Sequence, residues 1–377
     1  MKEPIRILHV FGRLDRGGAE TMIMNIYRKI DKNIIQFDFV VHTRDKCDYD
    51  QEIKELGGRI YSIPKYEGLN YSSYNKAWNV FFKDHPQYKL IHGHVRSTAS
   101  IYLRIAKKYG LISISHSHNT SSGKGMVAFA KNLMQYPIRY IADDFFACSL
   151  YAGEWLFGKK VCQKDNFFIL KNAIDVNAFR YNEAVRTIKR RELNLAGKFV
   201  IGHIGRFHPQ KNHMFLVEVF KKVHDRNENT VLLLIGEGEQ RAKVEEKVNK
   251  LGLTEHVLFT GVRDDIPQLI QAMDVFVFPS LFEGLGIAIV EAQASGLKCI
   301  VADTIPSEAF VTDIVESLPL NSKTDIWANK ILEKSSNYKR NDVSQAIFHS
   351  GYDIKETAKW LQDFYIRKHE DRGGTYV

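Results

Sequence analysis

No run of about 18 apolar residues occurs in this 377-residue chain, so no part of it reads as a membrane-spanning helix. Cysteine is scarce: Cys47, Cys148, Cys162 and Cys299 stand far apart, with no C-x-x-C pair. That excludes a disulfide-framed scaffold, argues against zinc and fits a reducing cytoplasm. No export signal is read at the start, because MKEPIRILHVFG runs straight into a strand-like segment. There is no arginine-rich helix or nucleic-acid-binding motif, which counts against a nucleic-acid partner. The first loop, GRLDRGGAE, lacks the G-x-G-x-x-G spacing that a NAD-dependent oxidoreductase would need there.

What is present is ordinary globular material, 44% hydrophobic and 26% charged, long enough for two domains. Glycine outnumbers proline 25 to 9, as many strand-to-helix turns require. The net charge of +9 is lopsided. Residues 1–178 hold 26 basic and 17 acidic residues, and the remainder holds 27 of each. A solvated basic surface would account for this; so would attraction to an anionic membrane or a phosphate-bearing lipid.

Hydrophobic periodicity alternates between strand and helix along both halves. In the front half, strands are expected at Ile5–Phe11, Phe37–His42, Arg59–Ile63, Leu90–His94, Ile112–His116, Asp144–Ser149 and Phe167–Ile169. Helices fall between them, the last over Val127–Ile141, where Pro137 should introduce a bend. After KNAID (Lys171–Asp175) and the charged run RTIKRRE (Arg186–Glu192) the pattern restarts. Strands are expected at Phe199–Ile204, Val231–Ile235, Val257–Phe259, Val275–Pro279 and Cys299–Ala302, with shorter helices toward the end. Such alternation implies parallel sheets in two βαβ halves, with ligands beyond the carboxyl ends of the strands. Polar residues and glycines gather at those ends: Gly12–Gly18, His92–Arg96, His116–Asn119, Gly205–Lys211, Gly236–Gly238 and Glu283–Gly286.

The stretch FEGLGIAIVEAQASG (Phe282–Gly296) sets Glu283 in a glycine-broken loop and Glu291 inside the helix that follows. Between them, Gly284, Leu285 and Gly286 offer backbone N–H groups at a helix N-terminus, where the macrodipole adds about half a positive charge. An anion, typically phosphate, suits that place. Carboxylates beside a phosphate site make sense when the ligand also carries hydroxyls, as a sugar nucleotide does. A plainer reading leaves Glu283 as a cap and Glu291 as a solvent-facing helix residue. GRFHPQKN places Gly205, Arg206 and Lys211 directly after a strand, where fork and point charge can converge on a diphosphate. Gly236 and Gly238 end the next strand, and Val262 and Arg263 end another near a base.

GRFHPQKN, LIGEGEQR, VFVFPSLFEGLGIAIVEAQASGLKCI and KNAIDVNAF together resemble family 4 retaining glycosyltransferases of the GT-B fold. GGAE (Gly17–Glu20) and ISHSHN (Ile114–Asn119) add to the likeness, which is greatest to the subgroup building bacterial capsules and exopolysaccharides. The resemblance implies an α/β chain of two Rossmann-like parallel-sheet domains facing a cleft. It places an acceptor domain at 1–178, a donor domain at 179–355, and the segment 356–377 packing back on the first. It implies that Arg206 and Lys211 hold the donor diphosphate, that Glu291 binds ribose, and that Glu283 with the amides of Gly284–Gly286 binds the transferred sugar. Val262 and Arg263 would flank the base, and Gly17 and Gly18 would let the front domain approach the donor. His118 matches the family's front-domain histidine, with His116 as a second candidate and Asn119 beside them on the acceptor side.

The implied reaction moves a sugar from a nucleotide-diphospho-sugar, UDP-linked by subgroup likeness, to a glycan or lipid-linked acceptor, with retention and without cofactor or metal. The basic pair would stabilise the departing diphosphate. Asp48-Tyr49-Asp50 forms a D-x-D, the metal signature of a different glycosyltransferase fold, but it lies away from every donor motif and reads as surface loop. Lys124, Lys131 and Arg139, interleaved with Met126, Phe129, Leu133 and Tyr140, suggest a basic, apolar face for peripheral contact with anionic lipid at the inner membrane surface. The rivals are a UDP-sugar 2-epimerase of the same architecture and a non-catalytic nucleotide-sugar binding protein.

Overall fold

A computed structural model describes residues 3–119, 125–334 and 339–371. Lys124 and the terminal residues 372–377, to which the sequence assigned roles, lie outside the described residues. Contacts divide the chain into one unit within Met1–Ile174 plus Asp353–Val377 and another within Asp175–Tyr352.

The first unit is built on a seven-stranded, all-parallel sheet: β1 (Ile5–Phe11), β2 (Ile35–Val41), β3 (Ile60–Ser62), β4 (Leu90–Gly93), β5 (Ile112–Ser117), β6 (Asp144–Ala147) and β7 (Phe167–Ile169), in the order β3-β2-β1-β4-β5-β6-β7. Both faces are covered, and the strands are correspondingly apolar on both sides. One face carries a core of Ile7, Phe37, Phe39 and Ile114 under the helices Gly18–Lys29 and Ile354–Glu370; the other packs Leu8, Val10, Trp78 and Tyr102. The helix Ile354–Glu370 belongs to this unit. Asp353 caps it by accepting from the amides of Lys355 and Glu356, and Ile354 N–H donates to Ile174 O at 3.0 Å.

The second unit has a six-stranded parallel sheet: β8 (Phe199–Ile204), β9 (Thr230–Ile235), β10 (Val257–Phe259), β11 (Val275–Phe278), β12 (Cys299–Ala302) and β13 (Val315–Leu318), ordered β10-β9-β8-β11-β12-β13. In each sheet the order reverses at one place, between β1 and β4 and between β8 and β11. Those switch points are where α/β sheets take ligands.

Four details differ from the sequence reading. The charged run RTIKRRE, read only as preceding the restart of the pattern, is part of the helix Glu183–Glu192 in the second unit. Its Arg186 and Arg190 reach Asp274 at 2.5 and 3.0 Å, and Lys189 reaches Asp265 at 2.9 Å, so these charges bind the helix to the sheet. The expected helix Val127–Ile141 is two, Met126–Gln135 and Ile138–Ile141, parted at Pro137, which has no N–H to continue the ladder. The helix Leu150–Phe157 follows β6 directly; its signal is Ser149, whose side chain caps the amide of Ala152. Finally β13, whose residues VESL offer little hydrophobic pattern, pairs with β12 from Cys299↔Val315 onward.

Candidate active site

In the second unit the site begins where β11 hands over to the helix Ile287–Ala294. Gly286 is the helix N-cap, with φ of 87° in the left-handed region that favours glycine. Among the described residues the amides of Leu285 and Gly286, which lead into that helix, make no hydrogen bond. The loop after β8 is stitched to this one. Leu281 N–H donates to Gln210 O at 2.7 Å, and Gln210 Nε2 donates to Phe282 O at 2.8 Å.

That stitching brings Lys211 Nζ to 2.7 Å from Glu283 Oε1, and 4.6 Å from the centroid of the Phe278 ring. The side chains are only 19% and 8% exposed, so removing one partner would leave the other charge buried and unpaired, which is costly. Below it His203 is kept neutral, at about 4, chiefly by burial and also by the Lys211 charge.

Other residues that the sequence assigned to the donor fall at the ends of neighbouring strands. Gly236, at φ 139°, lies so close to the β8 loop that a Cβ there would stand 2.2 Å from Gly205 O. The loops after β8 and β9 therefore touch backbone to backbone, with Phe207 N–H donating to Glu237 O at 2.9 Å. Arg206 follows Gly205 and is exposed; among the described residues its side chain makes no ion pair. Val262 is exposed, while Arg263 turns back onto Asp265 at 2.7 and 2.8 Å. Glu291 is half-buried rather than solvent-facing, and desolvation pushes its carboxyl up to about 7.

In the first unit the corresponding ends of β4 and β5 hold histidines. Parallel register sets His9 beside His92, and the period of two along a strand puts His94, His116 and His118 on that same face. His94 Nδ1 lies 2.8 Å from His118 Nε2, and His94 Nε2 lies 3.0 Å from His9 Nδ1. His92 bridges the Tyr365 hydroxyl, at 2.6 Å, to His116 Nδ1, at 3.2 Å. His116 is buried and His118 half-buried, their rings stacked 4.0 Å apart, so of the two candidates His118 is the one that reaches the surface.

Burial holds the whole cluster neutral, His9 and His118 at about 3, with the Arg96 charge pushing His118 the same way. Asn119, with its amide turned to suit both neighbours, donates to His118 O and accepts from Arg96 Nη1, each at 3.2 Å. Gly17 caps the helix Gly18–Lys29 in extended conformation, and a Cβ on Gly18 would meet nothing within 4 Å. Nothing within the unit demands glycine at Gly18. In the D-x-D, Asp48 accepts from Arg16 N–H and Asp50 from Cys47 N–H, both at 3.0 Å, which are loop-shaping roles.

Two family models match, the glycosyl transferases group 1 over residues 185–338 and glycosyltransferase family 4 over residues 16–178. The chain is 34% identical over 369 residues to the putative glycosyltransferase EpsF of Bacillus subtilis, covering 96% of each. This chain is a family 4 glycosyltransferase of the GT-B fold. The glycosyltransferase is also 22% identical, over 97% of its length and 99% of the other's, to the capsular polysaccharide biosynthesis glycosyltransferase CapH of Staphylococcus aureus. Among solved structures it resembles Anabaena Alr3699/HepE in complex with UDP and glucose, at TM-score 0.79 and 17% identity over 96% and 99% of the chains.

Sequence reasoning marked His92–Arg96 as a polar strand end but gave no role to His9, His92 or His94 in this glycosyltransferase. A signal was there: H-x-H occurs at His92–His94 and again at His116–His118, and in strands that spacing stacks four rings on one face.

Proposed function

We propose that this glycosyltransferase moves a hexose, with retention, from a UDP-sugar to a glycan or lipid-linked acceptor in surface polysaccharide synthesis. The observation that carries the reading is the Lys211–Glu283 pair at the mouth of the helix Ile287–Ala294. A diphosphate arriving there takes Lys211 as its counter-charge, with Arg206 as a second cation and the Leu285 and Gly286 amides as donors. Glu283, released from Lys211, then accepts from hydroxyls of the transferred sugar. Glu291 takes the ribose, and Val262 and Arg263 border the base.

As the sugar–phosphate bond opens, charge builds on the leaving diphosphate, and these fixed donors and cations stabilise it. Retention without a nucleophile follows if the acceptor enters on the face the diphosphate leaves and gives its proton to a diphosphate oxygen. In the first unit His118 is the proposed catalytic histidine, with His116 stacked on it and Asn119 next to it as acceptor-side residues. No cofactor or metal is needed in this scheme. Among the described residues the triads His9, His92, His94 and His94, His116, His118 have ring nitrogens within 4.8 Å of one another, but no carboxylate joins them and the Arg96 charge stands nearby.

Peripheral contact with an anionic membrane is part of the same proposal. Among the described residues no helix is long and apolar enough to cross a membrane. The helix Met126–Gln135, however, buries only Ala128 and Gln135 and turns Met126, Val127, Phe129 and Leu133 outward, at 89%, 69%, 72% and 67% exposure. It lies in a stretch, residues 85–142, with eight lysines and arginines and no acidic residue. An apolar face framed by basic residues suits the headgroup region of an anionic bilayer.

The test is a thermal-shift screen of nucleotide sugars followed by assay of UDP release with and without acceptor. Stabilisation by a UDP-sugar and acceptor-dependent release are expected. Proton exchange at the sugar's C2 without acceptor would mark an epimerase, and binding with neither reaction would mark a non-catalytic binder.

A further inference from the structure

The five histidines and Tyr365 form two hydrogen-bonded chains, and their proton order can be worked out. Tyr365 is buried, and burial pushes its hydroxyl well above the usual phenol range, so it keeps its proton and donates to His92 Nδ1. Neutral His92 then carries its single proton on Nε2 and donates to His116 Nδ1. His116 is left as the Nε2–H form.

The second chain, His9–His94–His118, has two possible orders, because one proton on His94 must serve one neighbour or the other. They differ in where an N–H is left without an acceptor. His9 Nε2, His116 Nε2 and His118 Nδ1 are all buried atoms with no partner among the described residues. His9 is fully enclosed and lies against Phe37 and Phe39, whereas the His118 ring is half-buried at the end of its strand. Either order leaves one N–H without an acceptor, and that costs more in the apolar surroundings of His9 than at the half-buried strand end that holds His118. The favoured order therefore leaves a lone pair at His9 Nε2 and runs His9 Nδ1–H to His94 Nε2, then His94 Nδ1–H to His118 Nε2.

We propose that His94, backed by His9, is a positioning residue that fixes both the ring orientation of His118 and its tautomer, leaving on Nδ1 a proton that has no acceptor among the described residues and would be met by a substrate oxygen. The neighbouring His116, stacked on it, is held in the opposite tautomer by Tyr365 and His92. The assignment rests on the proposed role of His118 in transfer; the tautomers themselves do not. It also gives the buried cluster a use that needs no cation.

Long-range nitrogen–proton NMR of imidazole-labelled protein, with signals assigned by single substitutions, reads the tautomers directly. His118 and His94 are expected as Nδ1–H and His92 and His116 as Nε2–H; His118 found as Nε2–H in the native protein overturns the proposal. His94→Phe keeps the ring stacked 4.2 Å from Phe11 and removes both hydrogen bonds. It should lower kcat about tenfold or more, as loss of an orienting partner does elsewhere, with donor KM within about twofold of native. His94→Asn, whose amide can still donate toward His118, should recover most of that loss. Equal kcat for His94→Phe and native enzyme, with His118 unchanged in tautomer, sinks the idea. A native protein that binds UDP-sugar but transfers nothing would instead count against the transferase reading, leaving the tautomer result standing.

Discussion

The two units carry their candidate residues in different ways. In the second, positions are set by backbone: loops that touch at Gly205 and Gly236, a helix begun by a left-handed Gly286, and one ion pair laid across them. In the first, they are set by side chains, a layer of imidazoles held at fixed distances inside a sheet face. Backbone devices leave marks in sequence because glycine is nearly the sole residue that permits them. A layer of histidines leaves only a period of two.

The largest effect should come from the charges. Lys211→Ala or Arg206→Ala is expected to slow UDP release from the donor by about 10²–10³-fold, the scale of losing a donor to developing negative charge. Initial rates at saturating donor decide it, and rates near native would place the diphosphate elsewhere. Next comes the backbone. Gly236→Val drives a side chain into Gly205 O and should cost about 3 kcal/mol or more in unfolding free energy. Gly18→Ala, which meets nothing, should stay within about 0.5 kcal/mol. If both melt alike, the contrast between the units is wrong.

Glu291 gives a smaller, pH-dependent effect. Its folded-state value of about 7 exceeds its ordinary 4.5, so the native state binds the extra proton and stability falls as pH rises between those values. Glu291→Gln should therefore be more stable than native at pH 8 by on the order of 1–2 kcal/mol, the advantage fading toward pH 4.5. Thermal melts across that range would show it. Smallest for the fold is the outward face of the helix Met126–Gln135. Phe129→Ser with Leu133→Ser should change stability by no more than about 0.5 kcal/mol while abolishing sedimentation with anionic vesicles at low salt. Retained sedimentation would move the contact elsewhere.

Much of the fold was legible in the sequence for physical reasons that can be named. Strands such as IRILHVF and FVIGHI are largely buried on both faces and read as mostly apolar runs, and β1 and β8 begin and end where the pattern says. What was illegible depended on partners distant in sequence. The RTIKRRE run looks like solvated charge until Asp274 and Asp265 are beside it. β13 is a strand because β12 offers it an edge. On the donor side, Lys211 and Glu283 were both expected at the anion site, but their pairing with each other depends on Gln210 tying two loops together. Glu291 looked equally like a surface residue, and burial alone separates the two cases.

The hydrogen bond from Ile354 to Ile174 marks where the chain leaves one unit and comes back to it. Everything between, residues 175–352, is an insertion in the chemical sense: contiguous, with its own sheet. During synthesis that insertion is complete on the ribosome while the unit begun first still waits for its last helix. Order of synthesis and order of completion are thus reversed: the unit begun first gains Leu361, Phe364 and Tyr365 for its core only after residues 175–352 have been made.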